Sequence, residues 1–179
     1  MPPQVDVLPP GAASDALLVA EIVALINRAY ALGEDGLWLE GTVRTRPPDI
    51  AAAIRSGGML AATVDGELVG CAYVKSLDET TADVGLISVS PDQQGAGVGR
   101  EIVRFAEDLM RERGARIAQL ELLVPRDGTH PTKERLRAWY TRLGYEVVRT
   151  APFDEIASHG ASELATPCEF LVFRKPLTE

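Results

Sequence analysis

Ser88-Val89-Ser90-Pro91-Asp92-Gln93-Gln94-Gly95-Ala96-Gly97-Val98-Gly99-Arg100 decides the fold, because the period of the chain changes across it. Before it, Ala82–Val89 reads as a strand. After it, Val98, Ile102, Phe105, Ala106 and Leu109 recur at helical spacing, and Gly114 caps the run. Gly95, Gly97 and Gly99, at every second position, remove the Cβ atoms from a strand-to-helix turn. The backbone there can approach a ligand closely and point several N–H groups at one centre. The helix adds unpaired N–H donors and the positive end of its dipole, a combination that binds phosphate. The dinucleotide fingerprint fails, since its third glycine would fall on Arg100, and the Gly-Lys-Ser/Thr ending of a P-loop is absent.

Upstream of this turn the chain reads as a meander. Met59–Val64 and Glu67–Leu77 flank Asp65-Gly66, a strong hairpin signal, and Asp78-Glu79-Thr80 turns into Ala82–Val89. Earlier still, Val5–Leu8 is a short strand. Ser14 is the expected N-cap of a helix to about Leu32, with Leu18, Ile22, Leu25, Ile26 and Ala29 on one face. A second helix follows Pro47-Pro48, from Asp49 to Arg55, stopped by Gly57-Gly58. Downstream, Gln119–Val124 is an apolar strand apart from Glu121. Leu136, Trp139, Tyr140 and Leu143 mark a helix stopped by Gly144, and Glu146–Arg149 and Cys168–Arg174 are closing strands. The front half has the order of an α+β protein and the back half that of an α/β protein. The expected architecture is one mixed twisted sheet of about six to seven strands, flanked by about four helices.

The 179 residues, 46% hydrophobic and 25% charged, are expected to form one domain over 1–179. This balance excludes a disordered chain, and two Cys exclude a disulfide scaffold. The net charge of −8 argues against bulk nucleic-acid binding. The charge is uneven: residues 1–99 carry −8, residues 100–149 carry +3 and residues 150–179 carry −3. The basic part follows the glycine turn, where an anionic ligand would sit; a solvated Arg face on a helix pair reads the same way. No targeting segment is seen at Met1-Pro2-Pro3, and no apolar stretch reads as a membrane span, so a cytoplasmic location is expected. Cys71 and Cys168 read as small core residues. His130 and His159 read as loop histidines without metal-ligand spacing, and no metal is implied.

Gln94-Gly95-Ala96-Gly97-Val98-Gly99 resembles the acyl-CoA pyrophosphate loop of the GNAT N-acetyltransferase superfamily, Gln/Arg-x-x-Gly-x-Gly/Ala. Val89-Ser90-Pro91 looks like the end of that family's fourth strand. Leu136–Tyr145, with Tyr140 and Leu143-Gly144-Tyr145, resembles its Tyr-x-x-Leu-Gly-Phe/Tyr helix, and Ile26–Tyr30 is similar to the first helix of many members. The resemblance implies a GNAT-like fold and transfer of an acetyl group from acetyl-CoA to a primary amine on a small molecule or peptide. It implies that Gln94, Gly95, Ala96, Gly97, Val98, Gly99 and Arg100 hold the pyrophosphate. It further implies that Ile87 and Val89, at a bulge of the fourth strand, would pair with the pantetheine arm and that the Val89 N–H would polarise the thioester carbonyl; both residues also read as core strand positions. Many members carry Asn seven residues before the helix tyrosine; here the position is Lys133, facing either a phosphate or solvent at a helix start.

Tyr140 is the candidate general acid for the departing thiolate, and also the kind of aromatic that packs a helix on a core. Glu121, in an apolar strand, is the candidate general base; Asp83, Glu40 and a water relay are alternatives. The acceptor is expected between Glu34–Thr45, with Trp38 and Glu40, and the 18-residue connection Thr150–Pro167. Glu34, Asp35, Glu40, Asp154, Glu155 and Glu163 would draw a cationic amine there, while Arg44 and Arg46 would equally grip a carboxylate. Final strand Cys168–Arg174, read as an exposed edge, would pair across a homodimer. A non-catalytic acyl-CoA-binding module is the alternative to an enzyme, and an unrelated nucleotide binder the third reading.

Overall fold

The computed structural model describes residues 1–178. Strands β1 (Gln4–Val7), β2 (Met59–Val64), β3 (Glu67–Ser76), β4 (Thr81–Val89), β5 (Ile117–Pro125), β6 (Glu146–Pro152) and β7 (Cys168–Pro176) form one sheet. Its order is β1-β2-β3-β4-β5-β7-β6. All neighbours are antiparallel except β4 and β5. The helices are α1 (Ala16–Gly33), α2 (Pro47–Arg55), α3 (Val98–Glu112), α4 (Pro131–Arg142) and the single turn α5 (Phe153–Ile156). The mixed sheet read from the sequence is present, with seven strands and one short helix beyond the four expected.

Each element forms for a local reason. Asp65 and Gly66 both take positive φ, +52° and +82°, which is what the two-residue turn between β2 and β3 demands. Asp15, not Ser14, caps α1: its carboxylate accepts from the Leu17 and Leu18 N–H groups at 3.1 Å each. Asp is a full acceptor here, and the Pro10–Ser14 3-10 turn carries Ser14 away from the cap position. α1 is long and apolar enough by length and composition to cross a membrane, contrary to the reading that no such stretch exists. Its Val19, Ile22 and Ile26 face is packed with Ile50 and Ile54 of α2 against Met59 and Cys71. The opposite face of the sheet packs Leu60, Val84 and Leu120 under Ile102, Ala106 and Met110 of α3.

Two features position the site. β4 and β5 pair only from Thr81↔Ile117 to Asp83↔Gln119, then separate. Past that point the β4 edge facing β5 has no strand partner. On its other edge the register against β3 shifts between Cys71 and Tyr73, so Leu86 and Ile87 bulge, with Leu86 at φ +54°.

β7 is not an edge strand. It lies between β5 and β6 along its length, from Pro125↔Cys168 to Ile117↔Pro176 on one side. Cys168–Arg174 therefore offers no free backbone for pairing across a dimer, and the outer strands are β1 and β6. A final strand tends to be read as an edge because nothing follows it; insertion between two earlier strands is a non-local choice. The connection Thr150–Pro167 also differs from an open loop: it holds the end of β6, α5 and a 3-10 turn at Ala161–Glu163.

Candidate active site

A cleft of about 810 Å³ opens where β4 and β5 part. One end is the glycine turn. Gly95 and Gly97 take φ +81° and +85°, and a Cβ on either would meet nothing within 4 Å, so both positions border open space. Among the described residues the N–H groups of Gly95, Gly97, Val98, Gly99 and Arg100 make no backbone hydrogen bond outside α3, whose ladder begins with Glu101 N–H to Gly97 O at 3.1 Å. Arg100, Arg135 and Arg142 also border the cleft, the last two a turn either side of Trp139, whose ring reaches Gly99. Free amides, a helix N-terminus and three guanidinium groups make this end suited to a polyanion.

The open β4 edge leads from there, through Ile87 and Val89, to Tyr140 and Glu121. Tyr140 lies seven residues, two turns, after Lys133 on α4, and both are buried on its inner face. Phe173 and Tyr145 pack edge-on against the Tyr140 ring at 5.6 and 6.5 Å. Its hydroxyl borders the cleft and makes no hydrogen bond to the protein among the described residues. Burial, with a contribution from Tyr30, raises its pKa above the ordinary phenol value. Burial acts on sulfur in the same way: the Cys71 thiol is pushed up to about 12.

Glu121 is half-buried and borders the cleft. Gln119 Nε2 donates to its Oε1 at 2.6 Å, and Arg174 Nε donates to Gln119 Oε1 at 2.9 Å. That chain fixes the amide orientation of Gln119 and holds one oxygen of Glu121, whose carboxylate also neighbours the Asp83 carboxyl. Asp83 is buried at the last paired position of β4, and its Oδ1 has no hydrogen-bond partner. Burial and the neighbouring Glu121 hold its carboxyl well above the usual range.

Lys133 does not start an exposed helix face. It is buried, with Nζ 3.0 Å from Oε2 of equally buried Glu34. The ion pair ties the end of α1 to the start of α4, so its charge is committed to a carboxylate rather than free for a phosphate. Glu34 is likewise removed from the acidic acceptor surface. Ala96 and Glu40 do not border the cleft, and Glu40 sits on an exposed turn. Glu155 pairs with Arg149 at 2.7 Å on the surface. His130 is half-buried, with Nε2 2.8 Å from the Asp35 carbonyl. His159 is exposed and borders the cleft. Cys71 and Cys168 are buried and unbridged, as read.

Three aromatic side chains that pack on one another also border the cleft. Trp38 stands edge-on to Phe153 at 5.9 Å, and Phe153 stacks on Phe170 at 5.5 Å. Trp38 is held because residues 37–39 zip onto 163–165: Leu39 N–H donates to Glu163 O at 2.7 Å and Ala165 N–H to Leu37 O at 2.9 Å. Phe153 and Phe170 were not readable as site residues. They come from α5 and β7, and only β7's insertion beside β5 carries them to the cleft.

The family model described as the acetyltransferase (GNAT) family matches residues 23–145, which include the turn, Glu121 and Tyr140. A mycothiol acetyltransferase of Cellulomonas flavigena is 25% identical over 174 residues, covering 89% of this chain and 49% of its own length. A second mycothiol acetyltransferase, of Beutenbergia cavernae, is 32% identical over 84 residues, covering 47% of this chain and 26% of its own length. The chain thus spans less than half the length of these curated relatives. An aminoglycoside 6′-N-acetyltransferase solved with coenzyme A superposes with TM-score 0.74 at 13% identity, covering 98% of each chain. Ard1 from Thermoplasma volcanium superposes with TM-score 0.69 at 15% identity over 100% of each. With a matched family model spanning well over half its length, and the same fold in these structures, the chain belongs to the GNAT acetyltransferase family.

Proposed function

We propose that the protein is an N-acetyltransferase that moves an acetyl group from acetyl-CoA to a primary amine. One observation carries this reading. A single cleft joins a cradle of free amides, an unpartnered strand edge, an aromatic hydroxyl and a carboxylate. The amides of Gly95, Gly97, Val98, Gly99 and Arg100 would hold the pyrophosphate, and the β4 edge at Ile87 and Val89 would pair with the pantetheine arm. The Val89 N–H would stabilise the charge that develops on the carbonyl oxygen.

The Glu121 carboxylate takes a proton from the ammonium form of the amine; the neutral nitrogen then bonds the acetyl carbon as the carbon–sulfur bond breaks, and its second proton passes to solvent. Tyr140 gives its hydroxyl proton to the departing sulfur and is reprotonated from solvent. Its raised pKa does not disqualify it, because the same desolvation raises the basicity of a thiolate in the cleft, as Cys71 illustrates. The products are the amide and free coenzyme A thiol.

Calorimetric titration with acetyl-CoA, with ATP and NAD as controls, tests the cradle; thiol release in the presence of amines tests the chemistry. Micromolar acetyl-CoA binding, about −8 kcal/mol, with none for the controls, and amine-dependent thiol release support the reading. Binding without release for any amine would leave an acyl-CoA-binding module instead. Preference for ATP or NAD would mean a different ligand.

A further inference from the structure

We infer that the acceptor carries a carboxylate close to its amine, read by Arg44, and an apolar or aromatic body seated against Trp38, Phe153 and Phe170. The inference rests on the transfer reading above and names the substrate class of that site.

The charges bordering the cleft are of both signs. Arg100 follows the glycine turn, and Arg135 and Arg142 lie a turn either side of Trp139, whose ring reaches Gly99. Glu34 and Lys133 neutralise each other. Of the charges that border the cleft there remain Glu121 and Arg44, of opposite sign, beside the exposed His159. The acidic loops do not change this, because Glu34 is paired internally and Glu40 lies outside the cleft. A purely cationic amine would leave Arg44 facing its charge. A zwitterion puts its amine toward Glu121 and its carboxylate toward Arg44.

Arg44 is built to hold a position. The side chain of Asn27 on α1 staples its loop: Oδ1 accepts from the N–H groups of Arg44 and Thr45, each at 2.9 Å, and Nδ2 donates to Thr45 O at 3.0 Å. Its guanidinium lies 5.0 Å from the centre of the Tyr30 ring. Yet among the described residues it forms no ion pair. The side chain is exposed at the border of the cleft and has no carboxylate partner among the described residues, which leaves its planar fork open to a planar anion. The aromatic side chains that border the same cleft are fixed by the zip of 37–39 onto 163–165, and they offer an apolar body contact area without polar demand.

The test compares L-phenylalanine, L-phenylalaninamide and phenethylamine as acceptors for the wild type, Arg44→Gln and Arg44→Lys, reading acceptor kcat/KM and, separately, the acetyl-CoA Kd. The free amino acid should exceed both neutral-ended amines by about tenfold or more in the wild type, as loss of a charge-assisted hydrogen bond implies. Arg44→Gln should level the three while leaving the acetyl-CoA Kd unchanged, and Arg44→Lys should restore part of the difference. Phenethylamine or the amide used as well as the amino acid by the wild type would overturn the inference while transfer itself stood. So would an equal fall for all three in Arg44→Gln. A readout without turnover separates the two readings: N-acetyl-L-phenylalanine and its amide are titrated into the coenzyme A-saturated protein. Arg44-dependent binding of the acid alone, with no turnover, keeps the acceptor class and overturns transfer. Equal binding of acid and amide overturns the class.

Discussion

Asp83 and Glu121 face each other across the point where β4 and β5 stop pairing, and the Glu121 carboxylate is one of the reasons the Asp83 carboxyl holds its proton. Two carboxylates on one face of a splayed strand pair cannot both ionise cheaply. Asp83 is the more buried of the two, and Glu121 is held on one oxygen by Gln119 and borders the cleft, as the proposed base requires.

This arrangement has a stability signature. An Asp has an ordinary pKa of about 3.9 in the unfolded chain, and Asp83 lies well above its usual range in the folded one. Between those values the folded state binds more protons, so stability falls as pH rises through the window. Asp83→Asn removes this dependence. Melting temperatures of wild type and Asp83→Asn from pH 4 to 8 should diverge, the variant gaining on the wild type as pH rises. Parallel curves would mean that Asp83 is ionised in the fold.

Tyr140→Phe keeps the ring between Phe173 and Tyr145 and removes only a hydroxyl with no protein partner. We expect kcat to fall roughly tenfold or more with acetyl-CoA affinity and melting temperature unchanged. Undiminished turnover would take Tyr140 out of the chemistry.

Gly97→Ala places a methyl group in open space at a backbone φ of +85°. The left-handed conformation costs about 1 kcal/mol for Ala in the empty protein. The acetyl-CoA Kd should rise more than about tenfold, since the methyl group enters the space left for the pyrophosphate. Calorimetry set beside a denaturation curve separates the two effects, and a Kd that does not move would mean the turn does not hold the phosphates.

The Lys133–Glu34 pair is buried on both sides. Lys133→Met strands the Glu34 carboxylate and should cost about 3–5 kcal/mol, measured by urea denaturation. The double variant Lys133→Met/Glu34→Leu should recover most of the loss, because two apolar side chains need no solvation. A single variant as stable as the wild type would show that Glu34 takes a proton or reaches water instead.

Much of this was legible along the chain, because the signals are local. The Asp65-Gly66 turn, the apolar rhythm of α3 and the glycine turn each depend on residues within a few positions of one another, and all sit as read. Tyr140 and Glu121 could be singled out for the same reason, one by its helix motif and the other as a lone charge in an apolar strand. Tertiary structure decided the rest. The insertion of β7 between β5 and β6 joins segments far apart in sequence, removes the exposed final edge and brings Phe170 to the cleft. The burial of Lys133 depends on a carboxylate 99 residues away, and no periodicity on α4 announces that partner. Arg44 borders the cleft on a loop that Asn27, 17 residues earlier, staples to α1. Local sequence determined which elements form and which of their residues are candidates for chemistry; which charges are neutralised and which remain unpaired was set by long-range packing, because a charge is free or spent only once its neighbours in space are known.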